Sequence, residues 1–143
     1  MPIKGRGVDI LADTSVAVAV VAEDHDHHLA TLRAIGDRSV GLAGQAAFET
    51  FSVLTRLPPP ARRSPDAVHR LIRANFPVIK HLTPSVAEAL LPKFASLGIA
   101  GGSVYDALVG ASAAESALVL LTRDARAIPV YRMLQVDIEV IRD

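Results

Sequence analysis

The chain has 143 residues, half of them hydrophobic and 21% charged, a balance that suits a folded globular protein and excludes an intrinsically disordered one. There is no cysteine, which removes disulfides, thiolate nucleophiles and cysteine-ligated zinc and fits a reducing, cytoplasmic setting. The net charge is zero, so the molecule as a whole is no electrostatic magnet for nucleic acid, and aromatics at 4% leave no broad platform for base stacking.

The predicted elements alternate. Val8 to Ala12 reads as a short buried strand, ending in Asp13. Thr14 to Ala22 reads as a helix; this nine-residue run is the most apolar near the start, and its length argues against a signal peptide or a membrane span. The loop EDHDHH leads to a helix from about Leu29 to Ile35, ended by Gly36. Ser39 to Ala43 is the second strand candidate. A helix over Gln45 to Leu57 is stopped by Pro58, Pro59 and Pro60. On it, Ala47, Phe48, Phe51 and Leu54 make the expected apolar face, and Gln45, Glu49, Ser52 and Arg56 the polar one. Pro65 to Asn75 is another helix and Val78 to Leu82 a short strand. Thr83 with Pro84 marks the start of a helix running to about Leu97, with Pro92 predicted to kink or divide it, and Gly98 as its end. The remaining elements are an alanine-rich helix over Ser103 to Ser116, an apolar strand over Leu118 to Thr122 and a last strand over Ile138 to Ile141. Strands alternating with helices predict an α/β fold with a mostly parallel sheet, residues 1–143 forming one domain.

Two strands deliver an aspartate at their carboxyl ends, Asp13 after the first and Asp124 after Leu118 to Thr122. In open parallel sheets those ends form the edge where ligands bind. Asp106, in the first turn of its helix, and Glu49, on a polar helical face, are placed to reach the same edge. Each acid taken alone also fits a bland role. Asp13 and Asp124 suit helix caps, S-V-Y-D from Ser103 to Asp106 suits a capping box, and Glu49 suits a solvated face. Four carboxylates on one edge would repel one another, by roughly 4 kcal/mol for a pair about 4 Å apart at an effective dielectric of 20. A divalent cation with hard oxygen ligands would make sense of the set.

The ordered segments L-A-D-T-S (Asp13), A-F-E-T-F (Glu49), V-Y-D-A-L-V (Asp106) and L-L-T-R-D-A-R-A (Thr122, Asp124), with acids 36, 57 and 18 residues apart and Tyr131 to Leu134 before the last strand, resemble PIN-domain ribonucleases, specifically VapC-type toxins of bacterial toxin–antitoxin modules. Gln135 departs from the pattern, where many relatives have glycine, and that puts a turn in doubt. The resemblance implies a three-layer α/β/α sandwich and an endoribonuclease requiring Mg²⁺ or Mn²⁺. It implies Asp13 and Asp106 as main metal ligands, with Glu49 and Asp124 completing the catalytic acids directly or through water. It also implies a small antitoxin as partner and a homodimer. Thr14, Ser15, Thr122 and Arg123 are candidate contacts to phosphate, or caps and surface groups.

Other signals are weighed against these. His25, His27 and His28 around Asp26 suggest a metal tract but read better as a polar loop entering a helix. Gly98, Gly101 and Gly102 fit a helix end and turn, since G-x-x-x-x-G-K-[ST] is absent. Arg56, Arg62, Arg63, Arg70 and Arg73 against Asp66 give a local charge of +4, a solvated surface or a contact for RNA or a protein partner. A dehalogenase-type phosphatase would need a second acid in D-T-S-V-A, and a receiver domain a lysine after a late strand; neither is present. A non-catalytic binding module on the same fold remains open. If the acids cluster, removing charge by Asp13→Asn or Asp106→Asn is expected to leave metal-free stability unchanged or raised.

Overall fold

The computed structural model describes residues 7–142, so the outermost residues of the expected 1–143 domain lie outside it. Five strands form one sheet: β1 (Ile10–Ala12), β2 (Val40–Ala43), β3 (Ile79–Lys80), β4 (Val119–Thr122) and β5 (Ile138–Val140). The order is β3-β2-β1-β4-β5 and every pairing is parallel. Seven helices connect and cover them: α1 (Thr14–Val21), α2 (His28–Ile35), α3 (Gly44–Thr55), α4 (Pro65–Asn75), α5 (Pro84–Leu97), α6 (Ser103–Ser116) and α7 (Ile128–Met133). Together they make the expected three-layer α/β/α sandwich. Leu11, Ala12, Leu42, Ala43, Leu120 and Leu121 are fully buried, as required of strands covered on both faces.

Each predicted strand is present and shorter than its apolar run. The sequence predicts no element between Thr122 and Ile138, where the chain instead forms a 3₁₀ turn (Ala125–Ala127) and α7, with Pro129 in the first turn of α7, the one part of a helix that needs no N–H from proline. Pro92 does not divide α5, which is continuous from Pro84 to Leu97. The predicted apolar face of α3 is corrected: Ala46, Thr50 and Leu54 are buried, whereas Phe48 is 64% exposed. The inward stripe is set by α1, α4 and α6, against which α3 packs.

The strand order places a functional edge. From β1 the chain adds β2 and β3 on one side, then crosses to β4 and β5 on the other. The crevice beyond the carboxyl ends of β1 and β4 is therefore the switch point where α/β sheets bind ligands. The Asp13 N–H donates to the Leu121 carbonyl at 3.1 Å, carrying the β1–β4 pairing to the last residue before that crevice.

Candidate active site

Asp13 leaves β1 in an extended conformation and caps α1. Its Oδ1 accepts the Val16 N–H at 3.1 Å and the Ser15 hydroxyl at 2.6 Å, and its Oδ2 accepts the Tyr131 hydroxyl at 2.9 Å. A carboxylate has about four lone-pair positions, and three of them are taken by these donors. The nearby Thr122 hydroxyl also favours the charged form. Asp13 is 2% exposed. Burial raises its pKa above the ordinary carboxylate value, and these bonds act in the opposite direction.

The other three acids line a cavity of about 690 Å³ together with Thr14, Ser15 and Arg56, whereas Asp13 lies behind Thr14 and Ser15 in the chain and is not part of its wall. Glu49 projects from the polar face of α3, as the sequence predicts, and accepts the Thr14 hydroxyl at 2.6 Å. Asp124 follows β4; its Oδ1 accepts the Arg126 N–H at 3.0 Å and lies 3.4 Å from the exposed Arg126 Nε, so it caps the 3₁₀ turn. Asp106 differs from both capping aspartates. The residue that precedes α6 and takes the cap position is Gly102, and no side chain caps that end, so the Ser103–Asp106 capping box does not form. Asp106 is held above its ordinary pKa first by burial, then by the charges of Asp124, Glu49 and Asp13, against a smaller opposing effect of Arg126. The other three predicted acids thus act electrostatically on Asp106.

The hydroxyls serve this arrangement. Ser15 bridges, donating to Asp13 and accepting the Arg123 N–H at 2.8 Å. Thr122 is fully buried and accepts the Asp124 N–H at 3.0 Å, so it orients the acids from beneath. Arg123 faces away from the acidic cavity, donating from Nη1 to Thr31 Oγ1 at 3.2 Å. Of the arginine-rich segment, Arg56 lines the acidic cavity. Arg63 pairs with Asp24 and Arg70 with Asp66.

Tyr131 carries a part that sequence reading did not assign. It is 1% exposed, and its hydroxyl ends on Asp13. Burial and the Asp13 charge push its pKa far up. The signal in the sequence is a tyrosine directly after the apolar run Ile128 to Val130, since a buried phenol needs a partner. Gly110 of α6 makes room for it, because a Cβ there would stand 3.0 Å from Tyr131 Cδ1.

Among the described residues, no group of three or more His, Cys, Asp or Glu side chains is disposed to enclose a metal ion directly. The donor set still suits Mg²⁺ or Mn²⁺, for a physical reason. The cavity gathers hard oxygen donors whose mutual repulsion is under-compensated at Asp106. Mg²⁺ binds through one or two carboxylates while keeping several waters, and so needs no closed cage.

The PIN domain family profile matches residues 10–132. Ribonuclease VapC40 of Mycobacterium tuberculosis is 43% identical over 134 residues, spanning 92% of this chain and 98% of its own length. Two solved structures share the fold. DNA-bound VapBC from Salmonella typhimurium superimposes with a TM-score of 0.67 at 17% identity, covering 95% of this chain and 100% of that one. VapC20 of Mycobacterium tuberculosis, a sarcin–ricin-loop-cleaving toxin, gives 0.64 at 21% identity, covering 84% and 93%.

Proposed function

Because the chain belongs to the PIN-domain family and groups within it with the VapC ribonucleases, we propose that it is a metal-dependent endoribonuclease, the toxin of a toxin–antitoxin pair, with its reaction centre in the acidic cavity. The observation that carries this reading is the convergence of Glu49, Asp124 and Asp13 on an uncapped Asp106 at the switch point of the sheet.

Asp106, Glu49 and Asp124 would hold a Mg²⁺ or Mn²⁺ ion from the cavity walls. Asp13 would join them by exchanging one of its hydroxyl donors for the ion. The chemistry such an ion supplies when bound is neutralisation of charge developing on a phosphate and acidification of water beside it. The protein's own contribution is positioning. Thr14 fixes the Glu49 carboxylate, the Arg126 N–H fixes Asp124, and Tyr131, Ser15 and the Val16 N–H fix Asp13.

A small antitoxin fits as partner because apolar surface adjoins the acids. Phe48 lines both the acidic cavity and a neighbouring groove formed with Phe51, Ile72 and Ile79. A homodimer is part of the same reading, as is work in the cytoplasm; no helix among the described residues is long and apolar enough to cross a membrane.

The test is cleavage of total RNA by the purified chain with Mg²⁺, with Mn²⁺ and with EDTA, beside Asp106→Asn. Discrete fragments that need metal and disappear in the variant are expected. Intact RNA in every lane, from folded protein shown to bind Mn²⁺, would instead favour a non-catalytic binding module.

A further inference from the structure

The chain has four phenylalanines, two tyrosines and no tryptophan, and the fold sorts them into two sets. Phe76, Phe94 and Tyr131 are buried in the core. Phe48, Phe51 and Tyr105 stay outside it, 64%, 36% and 53% exposed. Apolar residues scattered singly over a surface are ordinary, but these three are not scattered. Phe48 and Tyr105 line the acidic cavity, and Phe51 lines the groove that shares Phe48 as a wall.

Helical geometry sets the two rings beside the acids. On α3, residues three and four apart share a face. Phe48 therefore stands with Glu49, Ser52 and Arg56, away from the buried stripe of Ala46, Thr50 and Leu54, and these four line the cavity. On α6, Tyr105 directly precedes Asp106, and both line the same cavity. The two helices pack against each other, so one ring comes from each. The Phe48 ring is steadied from the groove by the His81 ring, with centroids 6.1 Å apart and planes tilted by 47°. His81 lies against the start of α3, where Gly44 gives it room: a Cβ there would stand 2.8 Å from His81 Nδ1. A ring already held in place has less freedom to lose when it binds.

Charge gives the rings their use. Three carboxylates repel a polyanion, and Arg56 is the one basic residue among those lining the cavity. Its Nη1 donates to the Ser52 hydroxyl at 3.3 Å, along the same helical face. A nucleobase carries no net charge, and every base has a π-face that stacks on an aromatic side chain. Stacking can thus hold a strand where Coulomb attraction does not. A cavity of about 690 Å³ is of the size that takes a small organic ligand. The neighbouring groove does not include Tyr105, so a partner seated there meets Phe48 alone, whereas a strand crossing the acids meets both rings.

We propose that Phe48 and Tyr105 are base-stacking residues for single-stranded RNA, each seating an unpaired nucleobase beside the phosphate held at the acids, with Arg56 on a neighbouring phosphate. The assignment rests on the nuclease reading and specifies the form of its substrate. The segment must be unpaired, because bases stacked within a duplex have no face open to a side chain. An aromatic content of 4% rules out a broad stacking platform; two rings at the reaction centre do not require one.

Binding is measured with full-length Asp106→Asn protein, so that bound RNA stays whole. The probes are a short oligouridylate and a ribose–phosphate oligomer of the same length without bases. Phe48→Ala and Tyr105→Ala should each weaken oligouridylate binding about five- to a hundredfold, the worth of one stacked base, with the slope of log K against log salt unchanged. Arg56→Gln should instead flatten that slope by ~0.7, the value for one phosphate contact on a single strand. Tyr105→Phe keeps the ring and should bind as its parent does. The baseless oligomer should bind the parent and both alanine variants alike. Alanine variants that hold oligouridylate as tightly as the parent, or that lose the baseless oligomer equally, overturn the stacking alone when wild-type cleavage of total RNA is intact, and leave the rings to a protein partner. A wild-type chain that cleaves no RNA with either metal overturns the nuclease reading and the stacking role with it.

Discussion

Two aspartates that look interchangeable in the sequence carry opposite stability consequences. Asp13 is buried, accepts three hydrogen bonds and caps α1. Asp106 caps nothing and is repelled by three neighbours. The expectation that neutralisation leaves stability unchanged or raised is therefore kept for Asp106 and revised for Asp13. In EDTA, Asp13→Asn should cost ~1–3 kcal/mol by urea denaturation, because an amide cannot accept on both sides and leaves buried hydroxyls unpaired. Asp106→Asn should be neutral or stabilising at pH 7. The pH dependence follows from the raised pKa of Asp106. Between its unfolded and folded values the native state binds more protons, so wild-type stability falls as pH rises through that window and is fully recovered below the unfolded value. Asparagine does not titrate, so its advantage should shrink as pH is lowered from 7 towards 4. An advantage that grows on acidification would contradict the charge cluster.

At the scale of elements, three helices end in the same motif with three different residues. At the ends of α5, α6 and α7, the left-handed residue is Gly98 (φ 72°), Ala117 (φ 55°) and Gln135 (φ 58°). In each, the following N–H reaches back to a carbonyl in the last turn: Ile99 to Phe94, Leu118 to Ala113 and Val136 to Tyr131. This is the Schellman arrangement, in which glycine is usual because it lacks the Cβ penalty. The departure at Gln135 thus leaves the turn intact and carries the strain instead. Gln135→Gly should stabilise by ~0.5–1 kcal/mol, read as a higher urea midpoint with unchanged slope. The turn also aims α7 so that Tyr131 reaches Asp13, which makes the end of a helix part of the support of the site.

Across the whole molecule, zero net charge conceals a local excess of acid, with Glu49, Asp106 and Asp124 lining one cavity beside Arg56. Metal binding should read that excess. Mn²⁺ binding to the native state alone stabilises by about 2.7 kcal/mol at a hundredfold excess over Kd. Thermal unfolding should accordingly shift upward with Mn²⁺ in wild-type protein, and much less in Asp106→Asn. Equal shifts in both proteins would remove Asp106 from the metal site.

The alternation of strands and helices, the two aspartates at strand ends and the polar face bearing Glu49 are written in short-range pattern, and the sequence by itself determined them. Buried parallel strands must be apolar, and chain direction fixes which end of each strand carries the acid. Other features were decided by tertiary structure, because they depend on contacts between residues far apart in the chain. These include the order of strands that brings Asp13 beside Asp124 and the exposure of Phe48. The closure of Tyr131 on Asp13 spans 118 residues, and the meeting of Phe48 with Tyr105 at one cavity is likewise long-range. No local periodicity encodes such pairings; they exist only once the sheet has crossed from β3 back to β4 and the helices have packed.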